Sequence, residues 1–550
     1  MSSQQSPSNF LDPKTLIALV LLGFAWFGWQ SYLQQKYPDA YKPEVNDEAQ
    51  KTQKQKRAVE GTESDIAQTN SDSGVKQLEV TSSKVDELSV SNMAEPEQTF
   101  GYEDEKLEFE ISSLGMGFKS YRLKDHTDRE GQKYSFVATN ENRINSTRLL
   151  GKSEPISFQV EKVGRNTFVG VAIVDGMNIK KSIEVNSDSF VIKTKVDVEN
   201  PADNFLGLET SLALHLEEYE HSTFLPTFER QEAFALGSEG EERILIDSTE
   251  SLKESFDGIK VASLGTQYFS QSIVDHSKIA PEFKVEANQG SGIAQGILRY
   301  SALSKKEFHL EYDAFIGPKY LNIMESVDKN LPAVIDFGFF SWLAKPMLQL
   351  LKIFHQFLGN WGFSIILLTI IIRVIVLPFT VMSYKSMNKM KLIQPRIKAL
   401  KEKYKDDAQK LNQEMMALMK NNKVNPLGGC LPMLLQFPVF IALYQVLGQS
   451  VELYQAPFMF WINDLSLKDP YYVLPVLMGI TMFVQQKITP NTMDPAQAKV
   501  MMFLPLVFVL FMVGLPSGLT LYIFVSSLFA IIQQMIFMRD TLVEKEIQTA

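Results

Sequence analysis

The sequence predicts a polytopic α-helical membrane protein that carries a large antiparallel β-sandwich outside the membrane. The last third of the chain contains five apolar runs, the third and fourth of them short, and the middle of the chain alternates apolar with polar residues. The strongly basic loop 384–425, between the first two runs, orients the helices. With an apolar N-terminal stretch, the runs make six transmembrane helices, five of which form a C-terminal core.

The alternation defines the β-domain, predicted over residues 104–335. Phe190, Ile192 and Val196 are apolar, for example, whereas Lys193 between them is charged. Apolar residues at every second position are typical of strands with one buried face. Many short runs of this kind, separated by turn residues, indicate an antiparallel β-sandwich with room for about 15 to 20 strands.

The N-terminus has its own apolar stretch, Leu16–Leu33, which is close to the length that a bilayer demands. It ends in aromatic residues, including Trp29 and Tyr32, that suit the membrane interface. We therefore expect an uncleaved anchor within 1–35; a cleaved signal peptide is the alternative. Residues 36–103 are polar, charged and poor in aromatics, which predicts a flexible linker.

Residues 336–358 predict an amphipathic helix lying flat at the bilayer surface. Lys345, Gln349, Lys352 and Gln356 form one polar stripe at helical spacing, and apolar residues cover the rest. The alternative is a helix buried against the β-sandwich.

The helical core is predicted over 359–538, followed by a short tail, 539–550. Its apolar runs are 361–383, 427–447, 471–487, 500–515 and 519–537. The loop 384–425 holds eleven Lys or Arg against four acidic residues and is therefore cytoplasmic by the positive-inside rule. An even number of spans then places both termini in the cytoplasm and the β-domain in the periplasm.

Arg373 is the one charged residue in the middle of an apolar run. Such a residue costs roughly 2.5–3.5 kcal/mol in a membrane span, so it must face water, an anion or polar groups. Thr369 lies one turn earlier on the same face, and Gln436 in the next run is polar but neutral. The runs contain no acidic partner. Arg373 is either a packing residue satisfied by amides and carbonyls, or it lines a wet groove that attracts acidic groups of a passenger protein.

The basic loop 384–425 predicts a helical hairpin, with Pro395 interrupting its first arm. Methionines recur at helical spacing on both arms: Met387, Met390, Met415 and Met419. This stripe is a plain hairpin seam or, in addition, an adaptable surface for varied apolar passengers. The positive charge favours contact with anionic lipid head groups.

Several function classes are disfavoured. A net charge of −10 without a basic, aromatic block argues against nucleic-acid binding. His215 and His221 match no common zinc spacing, so no metal is expected. No phosphate-binding loop or nucleophile elbow occurs, so we expect neither a cofactor nor an enzyme. The single cysteine, Cys430, rules out a disulfide within the chain.

Four sequence motifs carry a family resemblance. They are GNWGFSIILLTIIIRVIVLPFT at 359–380, NPLGGCLPMLLQFPVFIALY at 425–444, VELYQAPFMFWINDLSLKDPYY at 451–472 and PSGLTLY at 516–522. With these motifs the chain resembles the YidC family of membrane protein insertases, in its Gram-negative form. The resemblance extends over essentially the whole chain.

The resemblance implies a periplasmic β-supersandwich, related to sugar mutarotase folds, and a five-helix insertase core in the bacterial inner membrane. It implies that Arg373, Thr369 and Gln436 line a hydrophilic groove. The passenger-contact residues that it implies are Phe437, Phe440, Met478, Phe511 and Tyr522.

The function that the resemblance implies is insertion and folding of nascent inner-membrane proteins, alone or with the Sec translocon, without nucleotide hydrolysis. Ribosome contact is expected to be transient, because the tail 539–550 is short and roughly neutral. Two alternatives stay open at this point. One is a solute transporter or channel with Arg373 as its anion site, and the other is a carbohydrate-active β-domain.

Overall fold

The computed structural model describes residues 97–136, 143–199, 201–202, 205–217, 230–246, 251–288, 292–302, 307–405, 407–422, 431–489 and 495–549. Within these ranges, the side chains of 307, 408, 431–434, 495–501, 511 and 538–549 are not described. The predicted anchor 1–35 and almost all of the predicted linker 36–103 lie outside the described residues. Apart from the start of the helix at 495, the described elements belong to one compact unit, Pro96–Met493 with Met501–Ala550.

The first half of this unit is built from β-strands. In chain order, β1 to β18 are Thr99–Glu103, Leu107–Ser112, Phe118–Thr127, Lys133–Ser135, Thr147–Leu149, Gln159–Lys162, Thr167–Val174, Met177–Asn186, Val191–Glu199, Gly207–His215, Gln231–Gly237, Gly240–Leu245, Leu252–Phe256, Ile259–Thr266, Phe269–Asp275, Glu282–Ala287, Ile293–Ser301 and Glu307–Pro318.

These strands form three sheets with antiparallel pairing throughout. The largest has the order β12-β11-β14-β15-β18-β9-β8-β7-β6, the second β13-β16-β17-β10-β5, and the smallest β1-β2-β3-β4. The predicted β-rich domain is thus confirmed. Strand β9 shows why the alternation predicted it: Ile192, Val196 and Val198 are buried, whereas Lys193 and Lys195 are exposed.

The two larger sheets pack face to face. Gly296 in β17 lies so close to the opposite sheet that a Cβ there would sit 3.0 Å from the side chain of Leu264 in β14. This close packing places one continuous apolar core between the sheets.

The β-structure begins earlier than predicted. Strand β1 falls inside the segment expected to be linker and pairs with β2 from Thr99 to Glu103. Tyr102 is buried and stacks on Phe109 with ring centroids 4.7 Å apart. Two aromatic residues, Phe100 and Tyr102, supply enough apolar surface to hold this short strand against the sheet.

The second half of the unit is helical. In chain order, α1 to α8 are Leu321–Val327, Ser341–Leu358, Trp361–Lys403, Ala408–Asn421, Leu431–Gln449, Val473–Ile488, Pro495–Met512 and Ser517–Thr549. A 3₁₀ turn, Leu331–Val334, lies between α1 and α2.

Helices α2 and α3 are separated by one sharp turn. Gly359 ends α2 with a left-handed φ of 63°, which a residue without a Cβ adopts without strain. Asn360 then caps α3, because its side-chain oxygen accepts a hydrogen bond from the Phe363 amide at 3.2 Å. Helix α2 buries Leu348 and Leu351 against other helices and exposes apolar residues such as Trp342 and Phe357.

Helix α3 is one continuous helix of 43 residues. The sequence-based prediction treats it as two elements, the apolar run 361–383 and an arm of the loop 384–425. The apolar run and the first arm of the basic hairpin are the same helix, about 64 Å long. The prediction that Pro395 interrupts this arm is wrong, because helix α3 continues through it. Pro395 and Lys391, whose carbonyl loses its helical donor to the proline, are both exposed, so water can satisfy that carbonyl.

Two helices in the described part of the chain are long and apolar enough to cross a membrane: α3, and α8 over Ser517–Phe537. Helix α6, Val473–Ile488, is apolar but shorter. The predicted total of six spans stays a prediction.

Candidate functional site

Arg373 in α3 is held by Ser526 in α8. The Arg373 Nε donates a hydrogen bond to the Ser526 Oγ at 2.8 Å, and Nη2 donates to the same oxygen. Arg373 is partly buried, and Ser526 is buried. Within the described ranges the guanidinium forms no ion pair, so a neutral hydroxyl takes the place where a carboxylate would be expected.

Tyr522 extends this contact to a third helix. Its hydroxyl accepts a hydrogen bond from the Gln436 Nε2 in α5 and also bonds to the Ser526 side chain, one turn along α8. Three helices therefore meet through a hydrogen-bonded chain of Gln436, Tyr522, Ser526 and Arg373. The arrangement leaves most of the five donors of the arginine available to another acceptor.

Thr369 lies one turn before Arg373 and is fully buried. Its hydroxyl donates to the Ile365 carbonyl at 2.6 Å, within its own helix. The structure thus brings Arg373, Gln436 and Tyr522 into one connected network, and it places Thr369 beside the network without a hydrogen bond to it.

The expected passenger-contact residues differ in accessibility. Phe437 exposes 58% of its surface, and Phe440 is half-buried with its ring 6.4 Å from that of Tyr444. Met478 is fully buried, so a passenger reaches it only if α6 moves. The Phe511 side chain lies outside the described residues.

The methionines of the hairpin are neither fully buried nor fully exposed. All four are half-buried: Met387 and Met390 in α3, Met415 and Met419 in α4. Asp407 caps α4 by accepting a hydrogen bond from the Lys410 amide at 2.9 Å. This burial is what a hairpin seam requires, and it leaves part of each methionine at the surface.

The α5–α6 loop, residues 450–472, packs against the opposite end of α3. The ring of Phe458 covers Gly362, where a Cβ would lie 1.9 Å from the ring. The same loop contacts the β-domain, since the Gln455 side chain donates to the carbonyls of Thr127 at 3.1 Å and Asp128 at 2.7 Å. Tyr454 packs on Tyr268 with ring centroids 4.9 Å apart.

A buried charge cluster joins the β-domain to the segment that leads into α2. Glu232 in β11 is 3% exposed and is paired with Lys319 at 3.2 Å and Arg243 at 3.3 Å. Arg230 bridges Glu232 and Asp336, each at 3.3 Å. Burial opposes ionisation of Glu232, but the three cations hold its pKa below the ordinary value.

Ser526 is the functional candidate that the sequence did not single out. A serine in an apolar helix is not unusual, because its hydroxyl can bond back to its own helix. The available signal was spacing: Ser526 lies one turn after Tyr522 and about two turns before Gln533, so the three share one face of α8. Among the described residues, no group of His, Cys, Asp and Glu could hold a metal ion.

Two family models match the chain. The model described as the YidC periplasmic domain matches residues 102–350, and the model described as 60Kd inner membrane protein matches residues 353–545. The first covers the strands from the end of β1 onward and the first half of α2, and the second covers the helices that hold Arg373, Gln436 and Ser526.

Solved structures with partial likeness include a YidC insertase crystal structure with the first transmembrane domain resolved. It is 18% identical, with a TM-score of 0.36, and the match covers 80% of this chain and 92% of that one. A galactose mutarotase related enzyme from Lactobacillus acidophilus is 10% identical with a TM-score of 0.29, covering 40% of this chain and 97% of that one. A galactose mutarotase-like protein from Lactobacillus casei is also 10% identical, with a TM-score of 0.30, and the match covers 40% of this chain and 100% of that one.

The family assignment therefore rests on the two family models, which follow one another along the chain and leave only two residues between them. The family is one of inner-membrane insertases with a periplasmic domain and not a class of enzymes. By these matches the chain belongs to the YidC family of membrane protein insertases.

Proposed function

We propose that this chain inserts nascent inner-membrane proteins into the bilayer and helps them fold, alone or with the Sec translocon, without nucleotide hydrolysis. The groove is lined by Arg373, Thr369 and Gln436. Passengers present a polar tail to this groove while their apolar helix stays in contact with lipid.

The observation that carries the proposal is the pairing of Arg373 with a neutral hydroxyl. A partly buried guanidinium without a counter-charge is costly, and an anion that binds it lowers this cost. Because the described helices supply none, the anion comes from outside. Acidic residues in the tail of a passenger meet this requirement and leave again when the tail has crossed.

The energy for release comes from burial of the passenger helix in lipid, at about 25 cal/mol per Å² of apolar surface. The exposure of Phe437 supports an exit path along α5, because the ring offers an apolar contact at the edge of the groove. Phe440, Tyr522, Met478 and Phe511 continue this path in the proposal.

The remaining partners follow from charge and topology. The basic hairpin contacts anionic lipids and, transiently, ribosomes, and its methionines offer adaptable contacts to apolar passengers. Many of its cations are exposed, including Lys389, Lys391 and Lys398, which supports the lipid contact. Both termini lie in the cytoplasm and the β-domain in the periplasm.

The proposal is tested by replacing Arg373 with Ala and with Lys in cells that depend on this protein. Insertion of small passengers with acidic tails should fall strongly with Ala. Lys should recover part of the loss, because it keeps the charge but not the planar donor fork. Normal insertion of several such passengers by the Ala variant would show that the electrostatic role is wrong.

A further inference from the structure

Helices α3 and α8 pack side by side in one constant register. Arg373 meets Ser526 at a sequence separation of 153. Two further contacts have the same separation. A Cβ on Gly518 would lie 3.4 Å from Ile365, and the rings of Tyr384 and Phe537 are 6.4 Å apart. The two helices therefore run parallel over roughly 28 Å.

This register places Gln533 level with Thr380, beyond Arg373 towards the end that is predicted to be cytoplasmic. Gln533 lies about two turns after Ser526 and so shares its face of α8. It is 5% exposed, and neither its Nε2 nor its Oε1 has a hydrogen-bond partner among the described residues. Ser383, one turn after Thr380 on α3, is fully buried, and in the described part of the chain its hydroxyl is also unpartnered.

A buried carboxamide with both ends unpaired is unfavourable, so its presence needs a reason. Thr380, at the same level on α3, does not satisfy the amide, since its hydroxyl donates to the Val376 carbonyl of its own helix at 3.2 Å. A glutamine amide offers one acceptor oxygen and two N–H donors, which is the complement of a peptide group. Unlike Arg373, it does not distinguish acidic from neutral side chains.

We propose that Gln533, assisted by Ser383, is a second binding site in the groove that hydrogen-bonds main-chain peptide groups of an extended passenger segment. The inference rests on the proposed insertase function and assigns the ligand chemistry of this part of the groove. The rise of α8 from Ser526 to Gln533 is about 10 Å, or about three residues of extended chain. A passenger can therefore contact Arg373 by a side chain and Gln533 by its backbone at the same time. Because Gln533 and Ser383 are buried, this contact requires α3 and α8 to separate locally.

The neighbouring Gln534 provides a matched control. It is as buried as Gln533, and its Nε2 is also unpartnered among the described residues, but its Oε1 accepts a hydrogen bond at 3.2 Å from Thr489, the residue that follows α6. Its role is to hold α8 to α6. Replacing either glutamine with Met keeps the volume and removes the amide.

The experiment measures insertion by the full-length protein in proteoliposomes for one passenger with three tails: acidic, neutral with Asn for Asp, and proline-substituted. Proline lacks the main-chain N–H that would donate a hydrogen bond to the glutamine oxygen. Gln533→Met should lower insertion of the acidic and neutral tails by about fivefold each, and that of the proline tail by less than about twofold, relative to wild type. Gln533→Asn, which keeps a shorter amide, should lose less.

An equal loss for all three tails with Gln533→Met, matching that with Gln534→Met, would show that Gln533 only packs the helices. No loss with any tail would also overturn the site. Failure of the proposed function has a different signature: Arg373→Gln would then affect acidic and neutral tails alike. Thermal unfolding of each purified variant checks that its helical core is folded.

Discussion

Arg373 and Ser526 connect α3 to α8 through two hydrogen bonds that converge on one serine oxygen, with the Arg373 Nε at 2.8 Å. The serine fixes the direction of the guanidinium without neutralising it. Charge is thereby kept available at a defined position on the face of α8 that also carries Tyr522.

Removing this hydroxyl should weaken but not abolish insertion. In Ser526→Ala the guanidinium keeps its charge and loses its fixed direction. Losing this hydrogen bond should cost about 1 kcal/mol, which lowers the insertion rate of acidic-tailed passengers roughly fivefold. The adjacent Ser527 is also buried, and among the described residues the hydrogen bonds of Arg373 go to Ser526 instead, so Ser527→Ala serves as control. A loss of the same size in both variants would contradict a specific role for Ser526.

The packing of the α5–α6 loop on α3 should depend on the absence of a side chain at Gly362. In Gly362→Ala the new Cβ would overlap the Phe458 ring, and the displacement should cost about 1–3 kcal/mol. Loss of apparent thermal stability of the full-length protein, followed by tryptophan fluorescence, measures this cost. Gly101→Ala, whose Cβ would have no neighbour within 4 Å, is the control and should change stability little; comparable effects at both positions would argue against the contact.

The charge cluster around Glu232 should be sensitive to loss of its anion. Glu232→Gln leaves Lys319 and Arg243 without their shared carboxylate and should destabilise the β-domain by about 3–5 kcal/mol. Faster hydrogen exchange in β11 and β14 of the full-length protein is the expected readout. Glu286, in an exposed pair with Lys253 at 3.2 Å, gives the control, since Glu286→Gln should cost less than about 1 kcal/mol. A small effect at Glu232 would mean that water already satisfies the cluster.

Asp275 should make the stability of the β-domain depend on pH. Burial raises its pKa to about 6 from the ordinary 3.8, so the folded state favours the protonated acid. The protonated Asp275 carboxyl contributes its full stabilisation of the fold below pH 3.8, and this stabilisation is lost as pH rises through about 6. Asp275→Asn should therefore be more stable than wild type by about 2 kcal/mol at pH 7.5 and equal to it near pH 4. Hydrogen exchange of β15, corrected for intrinsic rates, measures the difference, and a gap that does not vary with pH would contradict this cause.

The β-domain was predictable where one face of a strand is buried. Ile192 and Val196 follow the two-residue period because the pleat alternates their direction. Strand β1 was missed, since a segment with only Phe100 and Tyr102 as apolar anchors resembles linker. Pro395 was misjudged because a proline at a hydrated helix surface leaves no buried carbonyl unpaired.

The site was predictable only in part. Arg373 stood out because a charge in an apolar run is expensive, and Tyr522 was implied by a motif. Ser526 and the unpartnered state of Gln533 depend on the register between α3 and α8. That register is set by tertiary packing, including the close approach of Gly518 to Ile365, and neither helix encodes it alone.

The most direct test of the central claim is a double-mutant cycle between Arg373 and the passenger. Insertion rates are measured for wild type and Arg373→Gln, each with a passenger whose tail carries Asp or Asn at one position. An electrostatic role for Arg373 predicts that Arg373→Gln slows the Asp tail at least about tenfold more than it slows the Asn tail, a coupling of at least about 1.4 kcal/mol. Equal slowing of both tails would contradict an electrostatic role for Arg373.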